Sequence, residues 1–399
     1  MKNFRKLADL EVTNKIVLLR VDLNVPIMHG KITDLTRIKR VAPTIEYLTE
    51  RGAKVVLLSH YGRPDGKFNL GMSLSPITDA ISAILDDKDI KFSVDIMASS
   101  IRSDIAKLAP GEVLLVENLR FHKGEETNDI EFAKHIASLG DVYVNDAFSC
   151  SHRAHASISM VAGLLPSAAG LLMQEELENL KKYLEAPTAP VVAIVGGAKV
   201  STKIDLLRSL VNKVDSIFIA GAMANTFLHV QGYNIGKSVF EKEYLDTAAN
   251  ILQQAESHNC NIILPIDVVT TIELSDNSKC RVSKVDKVRD DDMIFDIGPK
   301  SLMNLITVLE ASKTVVWNGP LGAFEHKPFD IGTVTIAQAI SEMTSEGKLI
   351  SIVGGGDVVS AVTNAGLGDN FTYSSTGGGA FLEWIEGKIL PGIEVLCQK

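Results

Sequence analysis

Residues 149–157 read SCSHRAHAS and bring three kinds of reactive side chain within a few positions of one another. Cys150 stands before His152 and His155, and Arg153 lies between the two histidines. Zinc normally takes three or four protein ligands, commonly in paired spacings, and no second Cys/His pair accompanies this stretch. A cysteine nucleophile needs a further orienting group, which the stretch alone does not supply. The residues therefore favour a third interpretation, a tight loop that directs Arg153 at an anion.

Four short apolar, β-branched runs in the first half predict the strands that would position this loop. Segments with helical periodicity, such as 35–50, separate these runs, which span residues 15–21, 54–59, 113–118 and 142–146. This alternation is typical of βαβ units that form a parallel sheet. Ligands bind beyond the carboxyl ends of such strands, where this half places arginine, histidine, aspartate and asparagine. Because arginine suits carboxylate and phosphate, the first half predicts a pocket for a small polyanion.

The second half repeats the pattern with different residues at the strand ends. Its apolar runs span 191–196, 216–221, 261–266, 314–319 and 349–354, and glycines and a lysine follow them. Backbone amides of glycine-rich turns and helix N-termini bind phosphates. The second half therefore predicts a phosphate or nucleotide site.

Two of the glycine-rich segments each allow two interpretations. A helix that begins within GGAKVSTK, 196–203, would place Lys199 and Lys203 on one face, whereas a plain turn would leave both lysines solvated. In GGGD, 354–357, Asp357 either caps a helix or holds Mg²⁺ on nucleotide phosphates.

Two further glycine-rich segments are equally open. Glu325 of NGPLGAFE, 318–325, either accepts a hydrogen bond from a ribose hydroxyl or simply belongs to a turn. STGGGAF, 375–381, predicts a turn that enters a helix and makes a second anion site. No G-x-x-x-x-G-K-[ST] is present, and no G-x-G-x-x-G follows the first strand of either half, which disfavours a P-loop and a dehydrogenase fingerprint.

Composition restricts the class of protein. The chain has 399 residues, 46% of them hydrophobic and 22% charged, which is typical of a globular protein of two or three domains. The net charge of −9 disfavours nucleic-acid and membrane-surface partners. We expect no signal peptide and no membrane span, because residues 1–12 carry no sufficient apolar run and no apolar stretch of about 18 residues is present. The four cysteines are far apart, so we expect free thiols in the cytoplasm.

Taken together, the motifs resemble those of the phosphoglycerate kinase family. Eight segments carry the resemblance, in the family's order and over nearly the whole chain: RVDLNVP (20–26), SHYGRP (59–64), ENLRF (117–121), SHRAHAS (151–157), GGAKV (196–200), NGPLGAFE (318–325), GGGD (354–357) and STGGGA (375–380). The resemblance implies a monomer with two Rossmann-like three-layer α/β/α domains and parallel sheets. It also implies reversible phosphoryl transfer from 1,3-bisphosphoglycerate to MgADP, which gives 3-phosphoglycerate and MgATP.

The implied domains follow from the periodicity and the resemblance. We expect a phosphoglycerate-binding domain at 1–170, an interdomain helix at 171–186 and a nucleotide-binding domain at 187–374. A C-terminal segment, 375–399, is expected to pack back on the first domain.

The resemblance assigns roles residue by residue. The phosphoglycerate ligands would be Asp22, Asn24, Arg37, His60, Arg63, Arg120 and Arg153. The nucleotide ligands would be Gly196, Lys199, Lys203, Gly221, Gly298, Asn318, Glu325, Gly354, Gly355, Gly356, Asp357 and Val358. Arg37 and Lys199 would be catalytic, Asp357 would ligate Mg²⁺, and Gly377 and Gly378 would bind the transition-state anion.

Three positions depart from the family's pattern. Val358 stands where the family usually has threonine or serine, which removes a hydroxyl near the nucleotide phosphates. Phe381 replaces a small polar residue, and Tyr61 replaces leucine or a similar residue. The rival interpretations are a dehydrogenase on two α/β domains and a nucleotide-responsive scaffold that has lost kinase activity.

Overall fold

The computed structural model describes residues 4–28, 30–276 and 279–397. Positions 1–3, 29, 277–278 and 398–399 lie outside the described residues, although the predicted domains include them. The chain divides into two compact units, the first formed by Met1–Glu178 with Ile389–Lys399 and the second by Asn179–Lys388. Residues 375–388 of the predicted C-terminal segment thus belong to the second unit.

The first unit is built on a parallel sheet of six strands, ordered β5-β6-β4-β1-β7-β8. A separate two-stranded ribbon pairs β2 with β3. The strands are β1 Ile16–Arg20, β2 Ile27–Met28, β3 Lys31–Ile32, β4 Lys54–Leu58, β5 Ile90–Ser93, β6 Val113–Val116, β7 Val142–Asn145 and β8 Ser167–Ala169. Their valine and leucine side chains are buried, as expected of a sheet covered by helices on both faces.

Strand register brings the chemistry-bearing loops of this unit to one edge. Arg20, the last residue of β1, is paired with Leu58 at the end of β4 and with Asn145 at the end of β7. Since the strands are parallel, the segments that follow them leave the sheet together. The helices are α1 Thr36–Glu50, α2 Thr78–Ile84, α3 Ile101–Ala106, α4 Lys123–Glu126, α5 Ile130–Ala137, α6 Val161–Leu164, α7 Leu171–Leu180 and, near the C-terminus, α15 Pro391–Glu394.

The C-terminal part of the first unit packs beside the SCSHRAHAS loop. The Gly392 amide donates to the Ser151 carbonyl at 2.9 Å, and the Asn145 side-chain amide donates to the Gly392 carbonyl at 3.2 Å. Ile158 and the Ser151 backbone leave no room for a side chain at Gly392. The return of the chain therefore supports the loop that carries Arg153.

The second unit has its own six-stranded parallel sheet, ordered β11-β10-β9-β15-β16-β17, and a smaller antiparallel sheet, β13-β12-β14. The strands are β9 Val191–Val195, β10 Ser216–Ile219, β11 Asn261–Ile263, β12 Asp267–Thr271, β13 Arg281–Lys284, β14 Met293–Ile297, β15 Thr314–Asn318, β16 Ile350–Gly354 and β17 Tyr373–Ser375. The predicted fold class, two α/β domains on parallel sheets, is confirmed. The antiparallel sheet was not predicted.

The helices of the second unit frame its glycine-rich turns. They are α8 Ile204–Val211, α9 Ala222–Val230, α10 Leu245–Ser257, α11 Pro299–Ala311, α12 Ile331–Ser345, α13 Gly356–Asn364 and α14 Gly379–Ile385. Of the two interpretations of 196–203, the helix that begins within this segment is not observed, because α8 begins at Ile204, after both lysines. Gly197 has φ +134°, and the Ser201 amide and hydroxyl both donate to the Glu241 carboxylate, which holds this segment in a turn.

Candidate active site

A cluster of charged side chains gathers at the carboxyl edge of the first unit's sheet, around Asp22. The Asp22 carboxylate is buried and pairs with the Arg37 guanidinium. It also accepts hydrogen bonds from the Ser149 hydroxyl at 2.5 Å and from the Asn24 amide at 3.0 Å. Burial alone would raise the pKa of Asp22, but the neighbouring His60, then Arg37 and these donors, outweigh it and hold that pKa below its usual range. Asp22 is therefore an ionised anchor for Arg37.

His60 lies beside Asp22 but is electrically neutral. Burial lowers its pKa well below the usual value, against the attraction of Asp22 and together with the charges of Arg20, Arg120 and Arg153. A neutral imidazole presents one donor and one acceptor. His60 therefore adds a hydrogen-bonding group, and no charge, to the cluster.

Arg120 and Asn24 fix the loop that follows β4. Arg120 is 3% exposed, and its Nη1 donates to the Gly62 carbonyl at 2.8 Å while Nε lies 3.3 Å from Glu126. The Asn24 side-chain oxygen accepts from the Gly62 amide at 3.0 Å. Arg63, the next residue, is exposed. These contacts leave Arg63 as the solvent-facing charge of a firmly held loop.

The structure decides among the interpretations of SCSHRAHAS. Cys150 is buried, and burial raises the pKa of its thiol, so Cys150 is not poised as a nucleophile. Burial and the Arg153 charge lower the pKa of His152, whose Nε2 lies 3.2 Å from Arg153 Nε. Burial, and after it the positive charge of Arg120, lower the pKa of His155 to about 4. The loop therefore carries neutral histidines around a charged arginine.

No metal grouping forms within this loop in the described part of the chain. Cys150 instead meets Asp22 and His60, whose ligand atoms lie within 4.8 Å of one another and of its sulfur. Arg20 and Arg37 act electrostatically on these groups. The positive charges of these two guanidinium groups oppose a cation and favour an anion.

Asn318 connects the two glycine-rich turns of the second unit. It ends β15, which lies between β9 and β16. Its carbonyl accepts from the Gly196 amide at 2.8 Å, and its side-chain amide donates to the Gly354 carbonyl. Gly355 has φ +111°, and a Cβ there would lie 2.5 Å from the Asn318 amide nitrogen. Only glycine therefore lets the turn after β16 approach Asn318 so closely.

A lysine and a carboxylate lie at the same edge of this sheet. The Lys203 amine donates to the Asn318 side-chain oxygen. Burial lowers the pKa of Lys203, while the charges of Asp357 and Glu386 oppose that shift. Asp357 is exposed in the first turn of α13, whose N-cap is Gly355, so the capping role is not the observed one. Lys199 is also exposed.

The remaining predicted nucleotide ligands differ in accessibility. Gly221 lines a pocket with Asn225 and Leu321. Gly298 is buried against the Asp267 carboxylate and is the N-cap of α11. Glu325 is exposed on the loop after β15.

The turn before α14 is the predicted anion site, and one of its backbone amides already makes a hydrogen bond. The Gly377 amide donates to the Ser375 hydroxyl at 3.1 Å. Gly378 follows with φ +51° as the N-cap of α14.

Comparison with known proteins identifies the family of this chain. The family model described as phosphoglycerate kinase matches residues 7–388. The chain belongs to the phosphoglycerate kinase family. It is 53% identical to a phosphoglycerate kinase of Methylorubrum extorquens strain PA1 over 397 residues, with 99% of each chain covered. It is 52% identical to one from Bradyrhizobium diazoefficiens over 396 residues, again with 99% of each covered.

Solved structures agree with the sequence relatives. A phosphoglycerate kinase structure from Coxiella burnetii superposes with a TM-score of 0.89 at 43% identity and covers 99% of both chains. One from Pyrococcus horikoshii OT3 superposes with a TM-score of 0.85 at 30% identity and covers 98% of both. The predicted family and the predicted enzyme class, a kinase with a carboxyl group as acceptor, are confirmed. No helix among the described residues is long and apolar enough to cross a membrane.

Two departures from the phosphoglycerate kinase pattern are explained by packing. Val358 is fully buried in the apolar cluster that contains Trp317 and Val362, so its side chain lies away from solvent. Phe381 is also fully buried, and a Cβ at Gly354 would lie 2.3 Å from its ring. Both side chains therefore support the glycine turn after β16 from within the unit.

Sequence reasoning missed three residues that hold the first cluster together. Arg20, Glu125 and Ser157 are each at most 1% exposed and are hydrogen-bonded in series. The sequence offered two signals for them. Arg20 is a charged residue in a β-branched run, and Glu125 belongs to a pair of glutamates after ENLRF.

Proposed function

We propose that this chain catalyses reversible phosphoryl transfer between 1,3-bisphosphoglycerate and MgADP, with 3-phosphoglycerate and MgATP as the other pair. One observation supports the proposal most directly. The carboxyl edge of one parallel sheet bears an arginine–histidine cluster, and the same edge of the other sheet bears lysines, Asn318 and glycine turns. Such edges are where open α/β sheets bind ligands.

The first cluster suits a small molecule with a phosphate and a carboxylate. Arg63 and Arg153 offer planar donors to phosphate oxygens, with Arg120 behind them and neutral His60 as a further donor. Asp22 and Asn24 would meet a hydroxyl group. The Asp22 charge would also reject a ligand whose carboxylate sat at that position.

The second unit suits a nucleotide. Lys203, Lys199 and the amides around Gly355 and Gly356 would meet its phosphates, Gly221 would border the base, and Glu325 would meet the ribose.

Magnesium fits the donors of the second unit. Mg²⁺ prefers one or two carboxylates together with phosphate oxygens and water. Asp357 is an exposed carboxylate in the first turn of α13, and its charge acts on Lys203. Asp357 would hold the ion, which would neutralise charge on the nucleotide phosphates.

The chemistry requires positioning and charge neutralisation. In the direction of ATP use, an oxygen of the 3-phosphoglycerate carboxylate bonds to the γ-phosphorus while the bond to the ADP oxygen breaks. The attacking carboxylate is already ionised, so no general base is needed. Arg37 and Lys199 would donate to the transferring group, and Gly378 would add a backbone amide. Donors of this kind are each worth roughly 10²–10³ in rate.

Arg37 and Lys199 belong to different units. We expect both to meet one phosphoryl group through a closing motion of the two units, which would exclude water from the acyl phosphate. Action as a cytoplasmic monomer stays a prediction.

A coupled assay tests the function. Purified protein is mixed with 3-phosphoglycerate, MgATP, glyceraldehyde-3-phosphate dehydrogenase and NADH, and NADH loss is followed. We expect turnover that needs both substrates and stops when the metal is chelated. Folded protein that binds both substrates without turnover would contradict the proposal and favour the inactive scaffold.

A further inference from the structure

Arg20 is a buried arginine that the proposed chemistry leaves without a role. It ends β1, is 1% exposed and lies at the carboxyl edge of the sheet among the ligand loops. Its Nε donates to the Ser157 hydroxyl at 2.8 Å, and its Nη1 donates to the Val21 carbonyl. Its Nη2 lies 3.2 Å from Nδ1 of His60. The guanidinium is thus fixed on three sides, and one of them is His60.

A buried carboxylate holds Arg20 in this orientation. Glu125 is fully buried on α4 and accepts twice from Ser157, from the hydroxyl at 2.6 Å and from the amide at 2.9 Å. The Ser157 hydroxyl therefore donates to Glu125 and accepts from Arg20. The Tyr143 hydroxyl anchors the Ser157 carbonyl at 2.5 Å. Glu125 thus compensates the Arg20 charge through one serine, whose backbone carbonyl is held by Tyr143.

This series of contacts decides which nitrogen of His60 carries the proton. A guanidinium has donors only, so Nδ1 of His60 must accept the contact from Arg20. Arg20, Arg120 and Arg153 all oppose a second proton on the ring, and Asp22 alone favours it. A neutral ring with Nδ1 as acceptor carries its proton on Nε2.

We propose that Arg20, held by Ser157 and Glu125, is a positioning residue that fixes His60 as the neutral Nε2–H tautomer. His60 then offers a donor to an anionic ligand. The opposite tautomer would present a lone pair at Nε2, which repels carboxylate and phosphate oxygens. The expected effect on substrate affinity rests on the proposed function, whereas the tautomer itself does not.

The first test is made on the unaltered protein and needs no activity. Histidines are labelled with ¹⁵N, and long-range ¹H–¹⁵N correlations at pH 7 report which ring nitrogen is protonated. The His60 signals are assigned by their loss in His60→Gln. We expect a protonated Nε2 and an unprotonated Nδ1. A proton on Nδ1, or on both nitrogens, would overturn the proposal.

The second test removes the serine that connects Glu125 to Arg20. Ser157→Ala should shift the His60 tautomer and raise KM for 3-phosphoglycerate about tenfold, the size expected for one hydrogen bond to a charged group. KM for MgATP should not change. Ser159→Ala is the matched control, because Ser159 is two residues away and bonds Asn128 and the His155 carbonyl instead.

A second variant covers the case in which Ser157→Ala does not fold. Arg20→Lys keeps the charge opposite Glu125 but cannot contact Ser157 and His60 at once, so it should give the same tautomer shift and the same selective rise in KM. A raised KM with an unchanged tautomer would assign Arg20 a packing role and overturn the proposal. An inactive protein with the expected tautomer would count against the kinase function alone.

Discussion

At the scale of single residues, burial separates the arginines that can move from those that cannot. Arg37 has a side chain that is 40% exposed and pairs with Asp22, whereas Arg120 is almost fully enclosed. Only the Arg37 end of this pair is open to water, because the Asp22 carboxylate is buried. Arg37 is therefore the arginine with room to turn toward a developing charge, whereas Arg120 is fixed in place.

Arg37→Ala should lower kcat by roughly 10²–10³ with a smaller change in KM, because its main partner exists in the transition state. Steady-state kinetics in both substrates measure the split. Lys39→Ala, two residues along α1 and exposed, is the control and should keep the wild-type rate. A variant at Arg37 with near-normal kcat would remove this residue from the mechanism.

Arg63→Ala should raise KM for 3-phosphoglycerate and leave kcat largely unchanged, because its proposed contact exists in both the ground state and the transition state. Arg63 is exposed on a loop that Asn24 and Arg120 hold through Gly62, so its removal should not alter the fold. An unchanged KM would show that the non-transferring phosphate binds elsewhere.

Asp296 should make the second unit less stable as pH rises. Its carboxylate is buried against the Gly332 and Ile297 amides, and burial raises its pKa to about 7 from the ordinary 3.8. The folded form thus binds the proton more tightly than the unfolded form. Its contribution is present below the unfolded value and is lost as pH rises toward 7, at about 1.4 kcal/mol per pH unit.

Urea unfolding from pH 5 to pH 8 checks this sign. Both tryptophans, Trp317 and Trp384, lie in the second unit, so their fluorescence reports its unfolding. The loss of stability with rising pH should be smaller in Asp296→Asn than in wild type. Asp369→Asn, at an exposed aspartate, should follow wild type. Parallel pH profiles for wild type and Asp296→Asn would refute the prediction.

At the scale of elements, α13 shows how one helix serves two purposes. Asp357 on its exposed side faces the proposed phosphate site, and Val358 on its buried side packs in the core. The hydroxyl that the family usually has at this position would therefore be buried here.

Val358→Thr should lower the free energy of unfolding by about 1–3 kcal/mol, the cost of burying a hydroxyl, with little change in KM for MgATP. Val362→Thr, one turn along the same face and equally buried, is the matched control and should cost a similar amount. A clear fall in KM for MgATP in Val358→Thr alone would mean that the side chain at 358 reaches the nucleotide.

The central strands could be predicted from the sequence because parallel strands are buried on both faces and appear as continuous β-branched runs. Val191–Val195 and Thr314–Asn318 are such runs. The edge strands Ser167–Ala169 and Tyr373–Ser375 are three residues long and lack that signal. Their pairing is a property of the assembled sheet.

The same limit applies to the site. Most residues that would touch substrate lie on segments that follow strands, so their positions could be predicted from the order of the motifs. The start of α8 depends on Glu241, forty positions from Ser201, and the role of Arg20 depends on Glu125. Contacts between residues so far apart in the chain leave no local pattern.

At the scale of the whole molecule, the proposed chemistry is divided between two compact units. Arg37 belongs to the first and Lys199 to the second. Each unit has its own sheet and its own ligand edge, so each substrate should bind on its own. Catalysis should then require a closing motion that neither substrate completes alone.

Small-angle X-ray scattering tests this division most directly. Four samples are compared: the free protein, the protein with 3-phosphoglycerate, with MgADP, and with both. We expect a smaller radius of gyration only when both ligands are present, in protein that also turns over in the coupled assay. An identical radius in all four samples of active protein would contradict the claim that groups on two units close on one phosphoryl group.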